Sequence, residues 1–332
     1  METDSEALNR QTKKNPLHTL LDYSAFPQNP AFSAFLLTQY RRCRREMKAR
    51  TILLLMTVVL LWGSSFTIIK LGLHELSPIN LAFLRFLLAL PFFFGYTLFR
   101  DRRVLDTSVV HDWKRLILLG LTGVTLYHVF QNVGLQYTTV ANSSLITSAN
   151  PVFIALLDHF YFKNRLTVPK FLGVLLGLVG VILVIDPLKL VYRPLGVVGD
   201  LLSLGASLSW AFYSVFGKRI LPKYGAPRVT AYSMAVGLLF LLPLLLVMEQ
   251  PALPSSPRVW GFLCILSILC SGVAYLLWYT ALEEASVTSA AVFLFFLPVV
   301  SVLFSRVFLL EALNPIFLVG AFFILIGVFL AS

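Results

Sequence analysis

Ten mainly apolar runs follow one another along the chain, at 52–72, 78–99, 115–134, 140–162, 169–186, 197–217, 229–248, 259–281, 286–309 and 315–331. Each is about 17–24 residues long. A helix rising about 1.5 Å per residue needs about 20 residues to cross roughly 30 Å of hydrocarbon. Lipid offers the backbone no hydrogen-bond partner, so every run is predicted to be a helix. Short polar links, rich in Lys and Arg, separate them.

The pattern repeats. Leu135 to Thr167 recurs 147 positions later as Leu282 to Asn314. Leu135 falls on Leu282, Val140 on Val287, Pro151 on Pro298, Val152 on Val299, Leu156 on Leu303 and Leu166 on Leu313. The same shift carries Gly173 onto Gly320 and Gly180 onto Gly327. A constant offset of this length is the mark of an internal duplication. Each copy holds five spans, and five is odd, so the second copy must enter the membrane upside down. The predicted fold is therefore an all-α membrane protein of ten transmembrane helices, built as two inverted five-helix repeats at 51–187 and 196–331. Such an arrangement, with a pseudo-twofold axis in the membrane plane, can build an inward-facing and an outward-facing half around a midplane site. Ahead of it, residues 1–50 read as a cytoplasmic tail, mostly disordered, and Met47 would make a natural start.

Composition sharpens the class. The chain is 58% hydrophobic and 13% charged, with mean hydropathy +0.81. Soluble domains average about 45–50% apolar and about 25% charged. The net charge of +11 lies in short clusters between apolar runs, which fits membrane orientation and not a nucleic-acid groove. One side collects Arg100, Arg102, Arg103, Lys114, Arg115, Lys163, Arg165, Lys170, Lys218, Arg219, Lys223 and Arg228. The other has Lys70, Lys189, Arg193 and Arg258. Positive loops stay inside, so both termini are expected in the cytoplasm, in a plasma or inner membrane. Cys43, Cys264 and Cys270 have no metal-ligand spacing and imply no disulfide framework; no metal or cofactor is expected.

Polar residues inside spans are costly and mark cavities or helix contacts. Span 3 carries Tyr127, His128, Gln131 and Asn132 within an arc of about 140°. Span 8 has Tyr275, Trp278 and Tyr279. Spans 1 and 6 carry Trp62 with Ser65, and Trp210 with Tyr213 and Ser214, at matching spacing. Span 4 adds Asn142 and Asn150. All are candidates for a substrate cavity; the competing reading is helix–helix packing and hydrogen bonding. Pro151 and Pro298 interrupt spans 4 and 9 and would act as gating hinges or as static kinks. Arg85, deep in span 2, is expected to be structural, with a substrate carboxylate as the other partner it could serve. Asp158 with His159 is a proton-relay candidate, against simple snorkelling to the interface. Gly173 and Gly177 form a GxxxG pair suited to close helix contact, or to a homodimer through spans 5 and 10.

Leu61-Trp62-Gly63-Ser64-Ser65-Phe66, Leu84-Arg85-Phe86, the run 141–167 around Pro151, and Ala274–Leu282 followed by Pro298 together resemble the EamA family of the drug/metabolite transporter superfamily. The resemblance covers about residues 52–331. Where the family usually has an acidic residue after span 4, this chain has Asn164; the second copy keeps it as Glu311. The resemblance implies a ten-helix exporter of small metabolites, amino acids or drugs, laid out like bacterial amino-acid exporters. With no phosphate-binding loop, transport would be driven by a gradient. A polytopic enzyme acting on lipid is the alternative from another class, but it would need a catalytic or metal cluster. HExxH is absent, and His18, His74, His111, His128 and His159 are scattered. A nucleotide-sugar carrier is the alternative within the superfamily.

Overall fold

A computed structural model describes residues 47–100, 107–163, 167–185, 194–309 and 316–331. The tail up to residue 46 lies outside the described residues. So do Arg102, Arg103, Asn164, Arg165, Lys189, Arg193 and Glu311. Regular structure in the described residues is helical. The rods are α1 (Ala49–Gly72), α2 (Pro78–Arg100) and α3 (Ser108–Tyr137). Next come α4 (Val140–Thr147 continued by Asn150–Phe162) and α5 (Val168–Ile185). Pro194–Met248 is divided at Gly225 into α6 (194–224) and α7 (226–248). The chain ends with α8 (Pro257–Glu284), α9 (Val287–Ala291 through Leu297–Leu309) and α10 (Ile316–Ala331).

The division at Gly225 has a local cause. Its φ is +78°, a backbone conformation that glycine alone adopts without strain, and Pro222 and Pro227 flank it. Among the described residues seven helical stretches are long and apolar enough to cross a membrane, and the 53-residue one contains this break. Two shorter apolar helices, Val168–Leu183 and Val319–Leu330, accompany them.

The packing is the inverse of a soluble protein's. Leu53, Phe99, Val247 and Phe329 stand on the outside, with Phe329 82% exposed. Ser64, Ser203, Ser207, Ser214 and Ser301 are buried. Apolar surface of this extent belongs against lipid, while small residues let helices approach closely inside. α5 and α10 show the close approach best. Gly180 meets the Gly320 carbonyl and Gly327 meets the Gly173 carbonyl, so the two helices run antiparallel. Gly177 packs on the Phe295 ring. The glycine face is thus occupied within the chain; Leu172, Leu175, Val319 and Phe322 face outwards instead.

Equivalent positions of the two copies also meet each other. Trp62 and Trp210 are 148 residues apart and have ring centroids 4.8 Å apart. His128 and Tyr275 are 147 apart and hydrogen-bonded at 2.8 Å. Contacts between equivalent residues place the relating axis at the centre of the bundle. Local irregularities are duplicated too. α3 and α8 each contain a π-helical stretch, Leu121–Leu126 and Ile265–Val273. Such stretches often sit at functional sites.

The prolines differ from the sequence expectation. α4 breaks at residues 148–149, and Pro151 lies in the first turn of the helix that follows. α9 passes through a 3-10 stretch, Val292–Phe296, before Pro298 in the first turn of Leu297–Leu309. Proline fits a first turn, where its missing N–H would have no partner in any case. These are interrupted helices, not proline-kinked ones.

Candidate functional site

Trp62, Ser65, Phe66, Arg85, Tyr127, His128, Gln131, Trp210 and Tyr275 enclose a central cavity of about 10 Å³, room for about one water. α1 and α6 bring Trp62 and Trp210, α3 brings Tyr127, His128 and Gln131, and α8 brings Tyr275. The aromatic rings pack tightly: Trp62 and Trp210 meet Tyr275 edge to face at 5.8 and 5.4 Å, and Trp210 lies tilted at 5.1 Å from Tyr127. Trp62 Nε1 donates to the Cys270 carbonyl at 2.9 Å, which fixes that ring.

The His128 tautomer follows from its neighbour. The Tyr275 hydroxyl donates to the Gly123 carbonyl at 2.8 Å, so it accepts from His128 Nε2. Nδ1 is then the bare acceptor, and it has no hydrogen-bond partner; nor does Trp210 Nε1. Unsatisfied buried polar atoms in a cavity are what a ligand would complete.

Other candidates lie beside the cavity. Trp278 packs on Trp62 and Trp210 at 5.7 and 6.0 Å. Tyr213 and Tyr279 stack at 4.8 Å one layer away. Asn132 Nδ2 donates to the Pro78 carbonyl at 3.0 Å, and Asn150 accepts from Ser207 at 2.8 Å; both serve helix contacts. Ser214 is buried and does not border the cavity. Of Asn142 only its place in α4 is described. Asp158 is buried and accepts from Thr288 at 2.9 Å, while His159 is exposed. The proposed relay pair therefore points to different sides of α4. Phe66, part of the quoted span-1 motif but not singled out as a site residue, lines the cavity, and Ser271, which had no sequence signal, accepts from the Arg85 Nε.

Both ends of the bundle are clamped by carboxylates. At one end Glu75, between α1 and α2, accepts from the Ser255 hydroxyl at 2.8 Å, from the Ser256 hydroxyl at 2.8 Å and from the Ser256 N–H at 2.9 Å. It also takes the Ser255 N–H. Glu249, after α7, returns the contact at the α2 N-terminus, accepting from Ser77, from Ile79 N and from Asn80 N. At the other end Asp112 holds Lys223 at 2.9 Å and the Tyr224 hydroxyl at 2.8 Å, and Glu283 accepts from Ala226 N at 2.6 Å. Lys70 and Lys218, 148 residues apart, each donate to the last carbonyls of a helix: Leu135 and Thr138 of the α3 end, Leu282 and Ala285 of the α8 end. A cation suits the negative end of a helix dipole.

These bonds, the Ser255 and Ser256 hydroxyls first, hold the Glu75 pKa down at about 2 against an ordinary 4.5. A depressed carboxylate stabilises fully above its unfolded value and loses that contribution as pH falls through the folded one. Glu75→Gln is expected to lower thermal stability at pH 7 and to flatten the acid dependence between pH 4.5 and about 2. Melting curves of the detergent-solubilised protein at several pH values check this; unchanged acid dependence would take Glu75 out of the clamp.

A bundle of apolar rods with duplicated halves, clamped at both ends around an aromatic and polar cavity, is the framework of a membrane carrier. Residues 49–186 and 197–332 each match the EamA-like transporter family, and the chain belongs to that family. It is 38% identical over 293 residues to an uncharacterized transporter of Archaeoglobus fulgidus, covering 86% of this chain and 98% of the relative. Identity to the uncharacterized transporter YoaV of Bacillus subtilis is 27%, over 83% of this chain and 94% of YoaV. A Salmonella typhimurium protein described as a "Probable amino-acid metabolite efflux pump" is 29% identical, over 83% of this chain and 93% of its own length. A solved crystal structure superposes with a TM-score of 0.71 at 23% identity, covering 85% of this chain and 96% of that one. It shares the fold.

Proposed function

We propose that the protein is a secondary transporter that exports small metabolites such as amino acids. Its rods cross the plasma or inner membrane ten times as two inverted five-helix repeats, with both termini cytoplasmic. The observation that carries this reading is the central cavity on the relating axis, where Trp62 meets Trp210 and His128 meets Tyr275. The antiparallel course of α5 and α10 supports the inversion. The two sets of end clamps are then two gates, both shut around a site too small for a solute. Alternating access opens one clamp at a time. The efflux name of the Salmonella relative supports the direction of transport.

Flux from proteoliposomes loaded with a mixed pool of amino acids and related metabolites tests the proposal. Selective loss of one class is expected, slowed about tenfold or more in Gln131→Ala and in Trp278→Ala with membrane insertion intact. No flux from protein shown to be folded would overturn it.

A further inference from the structure

Arg85 is the cavity's unanswered charge. It is 1% exposed, and Asp158, 6% exposed, is the other buried Asp, Glu, Lys or Arg among the described residues. Asp158 is taken by Thr288 of α9, away from the cavity. No Asp or Glu of the described residues pairs with Arg85. Its one hydrogen bond there runs from Nε to the Ser271 hydroxyl of α8. The guanidinium also lies 5.8 Å from the ring of its neighbour Phe86, a weak compensation.

An arginine cannot escape burial by losing its proton, and an uncompensated buried charge is among the most costly arrangements in a fold. This one borders the cavity. Its Nε is anchored, so the two terminal nitrogens are left over as a planar pair of donors. That pair matches the two oxygens of a carboxylate. Around it stand Trp62, Tyr127, Trp210 and Tyr275, which supply apolar faces for an uncharged body.

We infer that Arg85 is the anion-recognition residue of this transporter and that its substrates carry a carboxylate on a compact apolar or aromatic body. The inference rests on the carrier reading and deepens it. Ser271 is the positioning residue: it holds Nε so that the fork faces the ligand.

Phenylacetate, phenylacetamide and phenethylamine form a test series: the acid and its amide share one shape and differ in charge, and the amine carries the opposite charge on a body of similar size. Binding to purified protein is read by quenching of tryptophan fluorescence, since Trp62, Trp210 and Trp278 surround the site. Phenylacetate is expected to bind at least about tenfold more tightly than the amide and the amine. Arg85→Gln abolishes that preference, Arg85→Lys keeps part of it, and Ser271→Ala weakens it while the protein stays monodisperse. Phenylacetate bound no better than its amide, or an unaltered preference in folded Arg85→Gln, overturns the inference. Pool flux without phenylacetate binding removes the anion site and leaves the carrier. Phenylacetate binding without any pool flux removes the carrier and leaves the anion site.

Discussion

Trp210→Ala is expected to destabilise the folded protein by about 3 kcal/mol and to lower flux at least tenfold. Trp210 is 2% exposed and sits among the aromatic rings of the site. Its ring lies 4.8 Å from Trp62, 5.0 Å from Tyr213, 5.1 Å from Tyr127 and 5.4 Å from Tyr275. In lipid the loss is one of dispersion and edge-to-face attraction, not of water exclusion, because helices in a membrane gain little from hiding apolar surface. That puts the cost at the lower end of the range for tryptophan truncation. Flux falls for a separate reason: the pocket widens and the remaining rings lose their fixed poses. Trp210→Phe is expected to recover most of the stability and only part of the flux. Melting temperature and proteoliposome flux, measured on both variants, check the pair. Normal flux in the alanine variant would remove this ring from the transport path.

Gly180→Leu should abolish the packed α5–α10 pair. A Cβ at Gly180 would stand 2.6 Å from the Gly320 carbonyl oxygen and 2.7 Å from Ile324 N. Both are backbone atoms of a helix, so neither can rotate away. Overpacking a core costs about 1–3 kcal/mol where side chains can adjust, and here the helices themselves must part. The expected loss is at the top of that range, about 3 kcal/mol. Gly95→Leu is the control, since nothing lies within 4 Å of a Cβ there, and its melting temperature is expected to stay near wild type. Equal melting temperatures for the two variants would show that α5 and α10 are not held by this contact.

The repeat was the most legible feature of the chain. Chemistry at one position was preserved at its partner, so Lys70 and Lys218 perform the same task at two helix ends. The stripes on spans 1, 3, 6 and 8 were legible for a similar reason. Lipid penalises polar and interfacial groups so heavily that Trp62, His128, Gln131, Trp210 and Tyr275 had to face inwards. Pro151 misled, because proline in an apolar run reads as a kink whether it interrupts a helix or starts one. The true break at 148–149 carries no proline at all. Asp158 and His159 were adjacent in sequence and parted in space, since neighbours on a helix are about 100° apart.

Arg85 marks the boundary between the two kinds of knowledge. The sequence by itself determined a duplicated, lipid-embedded helical chain with a charged residue deep in its second span. Those properties depend on counts and periods along one dimension, against a solvent that tolerates few exceptions. Only the tertiary structure decided that no carboxylate among the described residues answers Arg85, that Ser271 holds its Nε, and that Arg85 borders the aromatic cavity. Pairing is a matter of distances between side chains 186 residues apart. No pattern along the chain encodes those distances until the helices have packed.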